Sequence, residues 1–184
     1  MHHRSFLICC LILLVATLQP SSAKDNAPLW KKQLTDQLPL LGHRNWIVIA
    51  DSAYPWQTAP GIETVYTGAE QLEVVKAVLE ALSKTAHVKP IIYTDAEMPF
   101  VTEADASGIG AYRKALGELL KKQGNVQSLP HEKIIAKLDE AGKTFHVLLL
   151  KTRLAIPYTS VFLQLDCAYW NADAEKRLRD AMEK

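Results

Sequence analysis

The chain has 184 residues, 21 of them basic and 20 acidic, for a net charge of +1 with neutral histidines. So even a balance leaves no electrostatic footprint for nucleic acid or an anionic membrane surface. Three cysteines are too few for a disulfide framework, and the length suits one domain with a core of its own.

The first segment reads as a targeting signal and not as part of the fold. Arg4 supplies a positive start, Phe6 to Leu18 are nearly all apolar, and Ser21 and Ala23 place small residues before a cleavage point. The apolar stretch is too short for a stable membrane span, and Cys9 and Cys10 lie too early in it to accept a lipid. Cleavage is expected after Ala23, giving a secreted or periplasmic protein with no membrane association, its single domain running over 24–184. Removing the first 23 of 184 residues leaves 161, with 20 basic, 20 acidic and the lone Cys167. Such a domain holds together by packing and not by disulfides.

Trp30 to Leu41 predicts a helix, with Leu34, Leu38 and Leu41 on one stripe and Gly42 closing it. Trp46 to Ala50 (WIVIA) is short, apolar and rich in β-branched residues, which predicts a buried strand. The loop from Ser52 to Gly61 carries Tyr54, Trp56 and Gln57, groups that can rim a ligand or simply pack the loop down. A helix is predicted over Thr67–Lys84, with Thr67 and Glu70 as a capping box and Leu72, Val75, Leu79 and Leu82 on one face. Lys89 to Asp95 reads as a strand, Ala104 to Gln123 as a helix closed by Gly124-Asn125, and Pro130 to Ala141 as a short helix. Phe145 to Lys151 and Ser160 to Leu165 read as the last core strands, followed by a charged helix from about residue 171. Strands alternating with helices predict an α/β layered single domain with a mixed β-sheet flanked by helices.

The chemistry narrows by elimination. No His-x-x-x-His or Cys-x-x-Cys occurs, so a zinc site has no support, and neither a metal nor a cofactor is expected. The run Gly108-Ile109-Gly110 opens no phosphate-binding motif, and no nucleophile elbow is present. Histidine and carboxylate acid–base work, or plain binding, remains. Of the four histidines beyond the leader, His87 falls in a polar turn and His146 in a strand, both structural readings. His43 and His131 sit at element boundaries, where a side chain can face a cleft. His43 and Asp51 bracket the first strand, and Cys167 reads as a small core residue at a strand end.

The stretch LGHRNWIVIADSAYP (41–55) resembles the segment that opens the D-ribose pyranase / L-fucose mutarotase family. There a Gly-His pair precedes an apolar strand, with an aspartate eight residues after the histidine and a proline beyond, here His43, Asp51 and Pro55. KKQGNVQSLPHEKI (121–134) resembles the family's helix end and following His-Glu pair, and KTRLAIPYTSVFLQL (151–165) its Pro-Tyr-x-Asn segment. The resemblance spans roughly residues 34 to 166. It implies His43 as the acid–base histidine, and Asp51, His131, Tyr158, Thr159 and Ser160 as sugar contacts. It further implies a monosaccharide as ligand and a ring-shaped homo-oligomer whose sites draw His43 from one subunit and His131 or the Tyr158 segment from the next. This chain departs in carrying Ser160 where the family has asparagine, in its terminal helix, and in its export. Three readings stay open: a cofactor-independent aldose mutarotase or pyranase-like isomerase, a monosaccharide-binding module without turnover, and an interaction protein that inherited the fold.

Overall fold

The computed structural model describes residues 28–183; the expected leader and its cleavage point lie outside the described residues. Six strands, β1 (Trp46–Ala50), β2 (Ile62–Tyr66), β3 (Val88–Asp95), β4 (Val126–Leu129), β5 (Val147–Lys151) and β6 (Val161–Cys167), form one sheet in the order β2-β5-β1-β6-β3-β4. Five run the same way. β6 alone is reversed, pairing antiparallel with β1 and β3. The α/β mixed-sheet domain expected from the sequence is the one observed.

β1 is apolar throughout because both of its faces are covered. Ile47 and Ile49 pack with α1 (Leu29–Gln37), α2 (Gln71–Leu82) and α3 (Ile109–Leu120), through Leu34, Val75, Leu79 and Leu116 among others. Trp46, Val48 and Ala50 face the opposite way, where α4 (His131–Ala141) supplies Ile134, Leu138 and Ala141. Each Leu or Ile side chain removed from water in this way contributes roughly 1.5–3 kcal/mol. The last helix, α5 (Ala172–Met182), is capped by Asn171 and buries none of its residues.

Several boundaries differ from the sequence reading, each for a local reason. The first helix stops at Gln37 because Pro39 tightens the chain into a 3-10 turn over Leu38–Leu40. Gly42 is no helix cap; it opens a turn in which its N–H donates to Asn45 Oδ1 at 2.7 Å. The capping box of Thr67 and Glu70 does not form, since Gly68 at φ 62° turns the chain between them. The Thr67 hydroxyl instead donates to the Lys151 carbonyl, and Glu70 pairs with Arg153 at 2.7 Å. α3 begins five residues later than expected, where Glu103 accepts from the N–H groups of Gly108 and Gly110. β2 and β4 were not foreseen: they are the two edge strands, too mixed or too polar to show an apolar pattern.

One close approach fixes how β2 enters the sheet. A Cβ on Gly61 would lie 2.5 Å from the carbonyl oxygens of both Gly142 and Phe145. Gly61→Ala is therefore expected to cost about 1–3 kcal/mol in urea unfolding, because backbone and not a side chain would have to move. Gly117→Ala, in an open position within α3, should stabilise by about 0.5–1 kcal/mol and serves as the contrast.

Candidate functional site

The reversal of β6 brings its first residues to the carboxyl edge of its parallel neighbours. Val161 pairs with Ile49 on one side and Thr94 on the other, so Ser160, Asp51 and Asp95 emerge together. β4 adds its own end, with Leu129 opposite Asp95, and Pro130 then starts α4 so that His131 arrives as its first residue. Carboxyl ends of strands are where open α/β sheets bind ligands.

Asp51 and Ser160 are locked to each other. The Ser160 hydroxyl donates to Asp51 Oδ2 at 2.9 Å and accepts from the Asp51 N–H at 3.2 Å, while Asp51 Oδ1 accepts from Ala53 N–H at 2.9 Å. Ser160 is buried and Asp51 half-buried.

His131 is held from three sides. Its backbone N–H donates to the Glu97 carboxylate at 3.0 and 3.1 Å. Its Nδ1 lies 3.1 Å from Asp95 Oδ1, and its ring meets Tyr158 edge-on at 5.7 Å and 85°. Asp95 closes β3 with its side chain 0 % exposed, and its Oδ2 has no hydrogen-bond partner among the described residues. Burial pushes its carboxyl up from 3.8 to about 6, His131 opposes the rise, and Glu97 and Asp51 add to it. Sequence reading missed Asp95; an aspartate ending a strand looks like an exposed cap, and only its place beside His131 could have marked it.

Tyr158 is 40 % exposed and adopts φ 57°, a conformation in which a bulky side chain stores strain. Thr159 anchors it. Its hydroxyl donates to the Ile156 carbonyl at 2.7 Å, and its own carbonyl accepts from Tyr112 Oη at 2.8 Å and from Gln71 Nε2. Gln71 in turn accepts from the Thr152 hydroxyl. Thr159 thus turns its side chain inward, while Tyr158 offers its ring outward. Burial raises the phenols of Tyr112 and Tyr54, so both stay protonated at neutral pH.

His43 stands apart. It is exposed in the turn before β1, next to Arg44, whose N–H donates to the Leu165 carbonyl at 2.8 Å. That is the amino edge of the sheet, separated from Asp51 by the whole of β1, about 13 Å or more at 3.3 Å per residue. A cavity of about 370 Å³ opens beside it, lined by Arg44, Trp46, Lys137, Phe145 and Gln164. One chain therefore gathers Asp51, His131, Tyr158 and Ser160 but leaves His43 at the far side.

The remaining sequence candidates settle into the fabric. His87 Nε2 meets the Leu41 carbonyl at 3.1 Å, His146 Nε2 lies 3.3 Å from Gln37 Oε1 and 3.5 Å from Glu63, and Cys167 is half-buried at the end of β6. In the loop after β1, Tyr54 packs down and Trp56 is 85 % exposed. Among the described residues no three His, Cys, Asp or Glu side chains gather as a metal site. No helix there is long and apolar enough to cross a membrane.

A family model described as the RbsD / FucU transport protein family matches residues 24–167. Solved structures of similar fold include Bacillus subtilis RbsD complexed with D-ribose, at 22% identity over 72% of this chain and 89% of that chain, with a TM-score of 0.50. FucU from Bifidobacterium longum follows at 18% identity, 72% and 92% coverage and a TM-score of 0.48. The fucose mutarotase in complex with L-fucose from Streptococcus pneumoniae is similar at 20% identity, 77% and 93% coverage and a TM-score of 0.47. No curated protein matches this chain.

The raised Asp95 carboxyl ties stability to pH. Because its folded value of about 6 lies above the ordinary 3.8, its contribution is full below about pH 3.8 and is lost as pH rises through about 6. A shift of two units corresponds to about 3 kcal/mol. Asp95→Asn mimics the protonated form, so its unfolding free energy relative to the native sequence should improve by up to about 3 kcal/mol from pH 4 to pH 7. Denaturant melts at several pH values measure the difference; a constant offset would mean that Asp95 does not titrate as described.

Proposed function

The chain belongs to the RbsD / FucU transport protein family, and we propose that it is an exported sugar mutarotase or pyranase-like isomerase. One observation carries the reading: Asp51, His131, Tyr158 and Ser160, drawn from segments far apart in sequence, converge on one edge of the sheet. The ligand class is a monosaccharide, a ribose- or fucose-like aldose. D-Ribose is the compound held by the Bacillus subtilis relative.

Interconverting cyclic forms of an aldose requires opening the hemiacetal. A base removes the proton of the anomeric hydroxyl while an acid protonates the ring oxygen, and closure reverses both transfers. Imidazole can serve in either role near neutral pH, and positioned acid–base groups are typically worth about 10²–10⁴-fold. The phenol of Tyr158, the Asp51 carboxylate and the half-exposed ring of His131 supply donors and acceptors for sugar hydroxyls. Thr159 supports this surface through its backbone position, since its hydroxyl points inward.

His43 can join such a site only from a second copy, given its place on the opposite edge of the sheet. The proposed assembly is a ring-shaped homo-oligomer in which His43 of one subunit approaches the His131 and Tyr158 edge of the next. A second reading, a sugar-binding module without turnover, draws on Ser160. Its short hydroxyl is spent on Asp51, where an asparagine would reach outward with both a donor and an acceptor.

Saturation-transfer NMR of anomeric exchange across a panel of aldoses, paired with calorimetric titration, separates the two readings. Exchange should be accelerated for at least one aldose, and His43→Ala should slow it by about 10²-fold or more while His87→Ala leaves it unchanged. Binding without acceleration favours the module. Mixing His43→Ala with Tyr158→Phe subunits should restore part of the activity; no recovery after proven subunit exchange would place each site within one chain.

Export is part of the same proposal. The family match starts at residue 24, the first after the expected cleavage, and N-terminal sequencing of the native protein should read from Lys24. A start at Met1 overturns the secreted or periplasmic assignment.

A further inference from the structure

We propose that Asp95 is a positioning residue for His131, its buried carboxylate fixing the ring with Nδ1–H inward and Nε2 toward the site mouth, so that His131 acts in proton transfer and not only as a sugar contact. The part of this inference that concerns rate rests on the sugar-isomerase reading; the part that concerns the ring does not.

The geometry assigns each nitrogen. Nδ1 lies 3.1 Å from Asp95 Oδ1, and a carboxylate can only accept there, so the neutral ring carries its proton on Nδ1. Nε2 is left with a free lone pair on a side chain that is 31 % exposed. The ring cannot easily turn over. Pro130 sets the chain's entry, Glu97 holds the backbone N–H, and Tyr158 stands against the ring edge.

The charge balance points the same way. Asp95 has no lysine or arginine partner among the described residues, and its one ion-pair partner there is His131. A buried carboxylate left without a cation is costly, and its Oδ2 has no hydrogen-bond partner among the described residues. Groups that act on the pair come from several elements: Glu97 after β3, Asp51 and Tyr54 after β1, Tyr112 on α3, and Tyr158 before β6. Asp139, farther along α4, acts on Tyr54. Lys151, at the end of β5, donates to the Tyr54 carbonyl at 2.7 Å. His131 is the first residue of α4 with Asp95 Oδ1 3.1 Å from its Nδ1, so a proton arriving at Nε2 meets a ring whose other nitrogen already faces a carboxylate.

The test uses the full chain with Asp95→Asn, which keeps shape and an acceptor but loses charge, and Asp95→Leu, which loses both. Imidazole nitrogen NMR at pH 8 should show the Nδ1–H tautomer for His131 in the native sequence and in Asp95→Asn, and its loss in Asp95→Leu. For an aldose that exchanges, both variants should lower kcat about tenfold or more with KM within about twofold, and Asp95→Asn should displace the acid limb of the kcat profile. An Nε2–H tautomer in the native protein overturns the inference even if Asp95→Leu fails to fold. So does a change confined to KM, which would make His131 a binding contact alone. If the native protein accelerates no aldose, the isomerase reading fails, and the nitrogen spectra still decide whether Asp95 orients the ring.

Discussion

Because β6 pairs antiparallel with both β1 and β3, its first residues and not its last meet the carboxyl ends of those strands. Had it run with its neighbours, Ser160 would lie at the amino edge, about 20 Å from Asp51 at 3.3 Å per residue. The inserted strand also separates β1 from β3. Asp51 and Asp95 therefore open onto the same edge without being adjacent, with the Tyr158–Ser160 segment between them. The histidine on α4 completes the group because β4 ends in register with Asp95.

That edge is assembled under tension and tied down from beneath. The positive φ of Tyr158 stores roughly 1–3 kcal/mol. Two side chains, Gln71 and Tyr112, donate to the carbonyl of the next residue, and buried hydrogen bonds of this kind return about 0.5–1.5 kcal/mol each. Helices α2 and α3, which face away from the exposed ring, thus set its angle. The Asp51–Ser160 clasp does similar work across the strand boundary and uses the one proton the serine hydroxyl could have donated to a ligand.

Most of the core was legible in the sequence because burial writes a pattern. WIVIA ends where the observed strand ends, and of the four residues read on one face of α2, Val75, Leu79 and Leu82 are buried in the core while Leu72 is buried only in part. Edge strands write no such pattern: VQSL is mostly exposed, and Ile62–Tyr66 mixes charge with apolar groups. The site was legible in its residue types and not in its geometry. His43 and Asp51 look like neighbours at eight residues apart, yet an extended strand converts that spacing into distance. Asp95 went unseen because its importance lies in burial beside a residue 36 positions later. Thr159 and Ser160 read as hydroxyls for a ligand, and both turn out to bond within the protein.

The order of the strands also sets a clock. β1, at residues 46–50, finds its two partners only at 147–151 and 161–167. The centre of the sheet therefore cannot close until nearly the whole chain is present, and contacts of such long sequence separation make folding slow. A chain emerging amino end first spends that interval with its most apolar strand unpaired. The last strand to appear is the one that commits the fold.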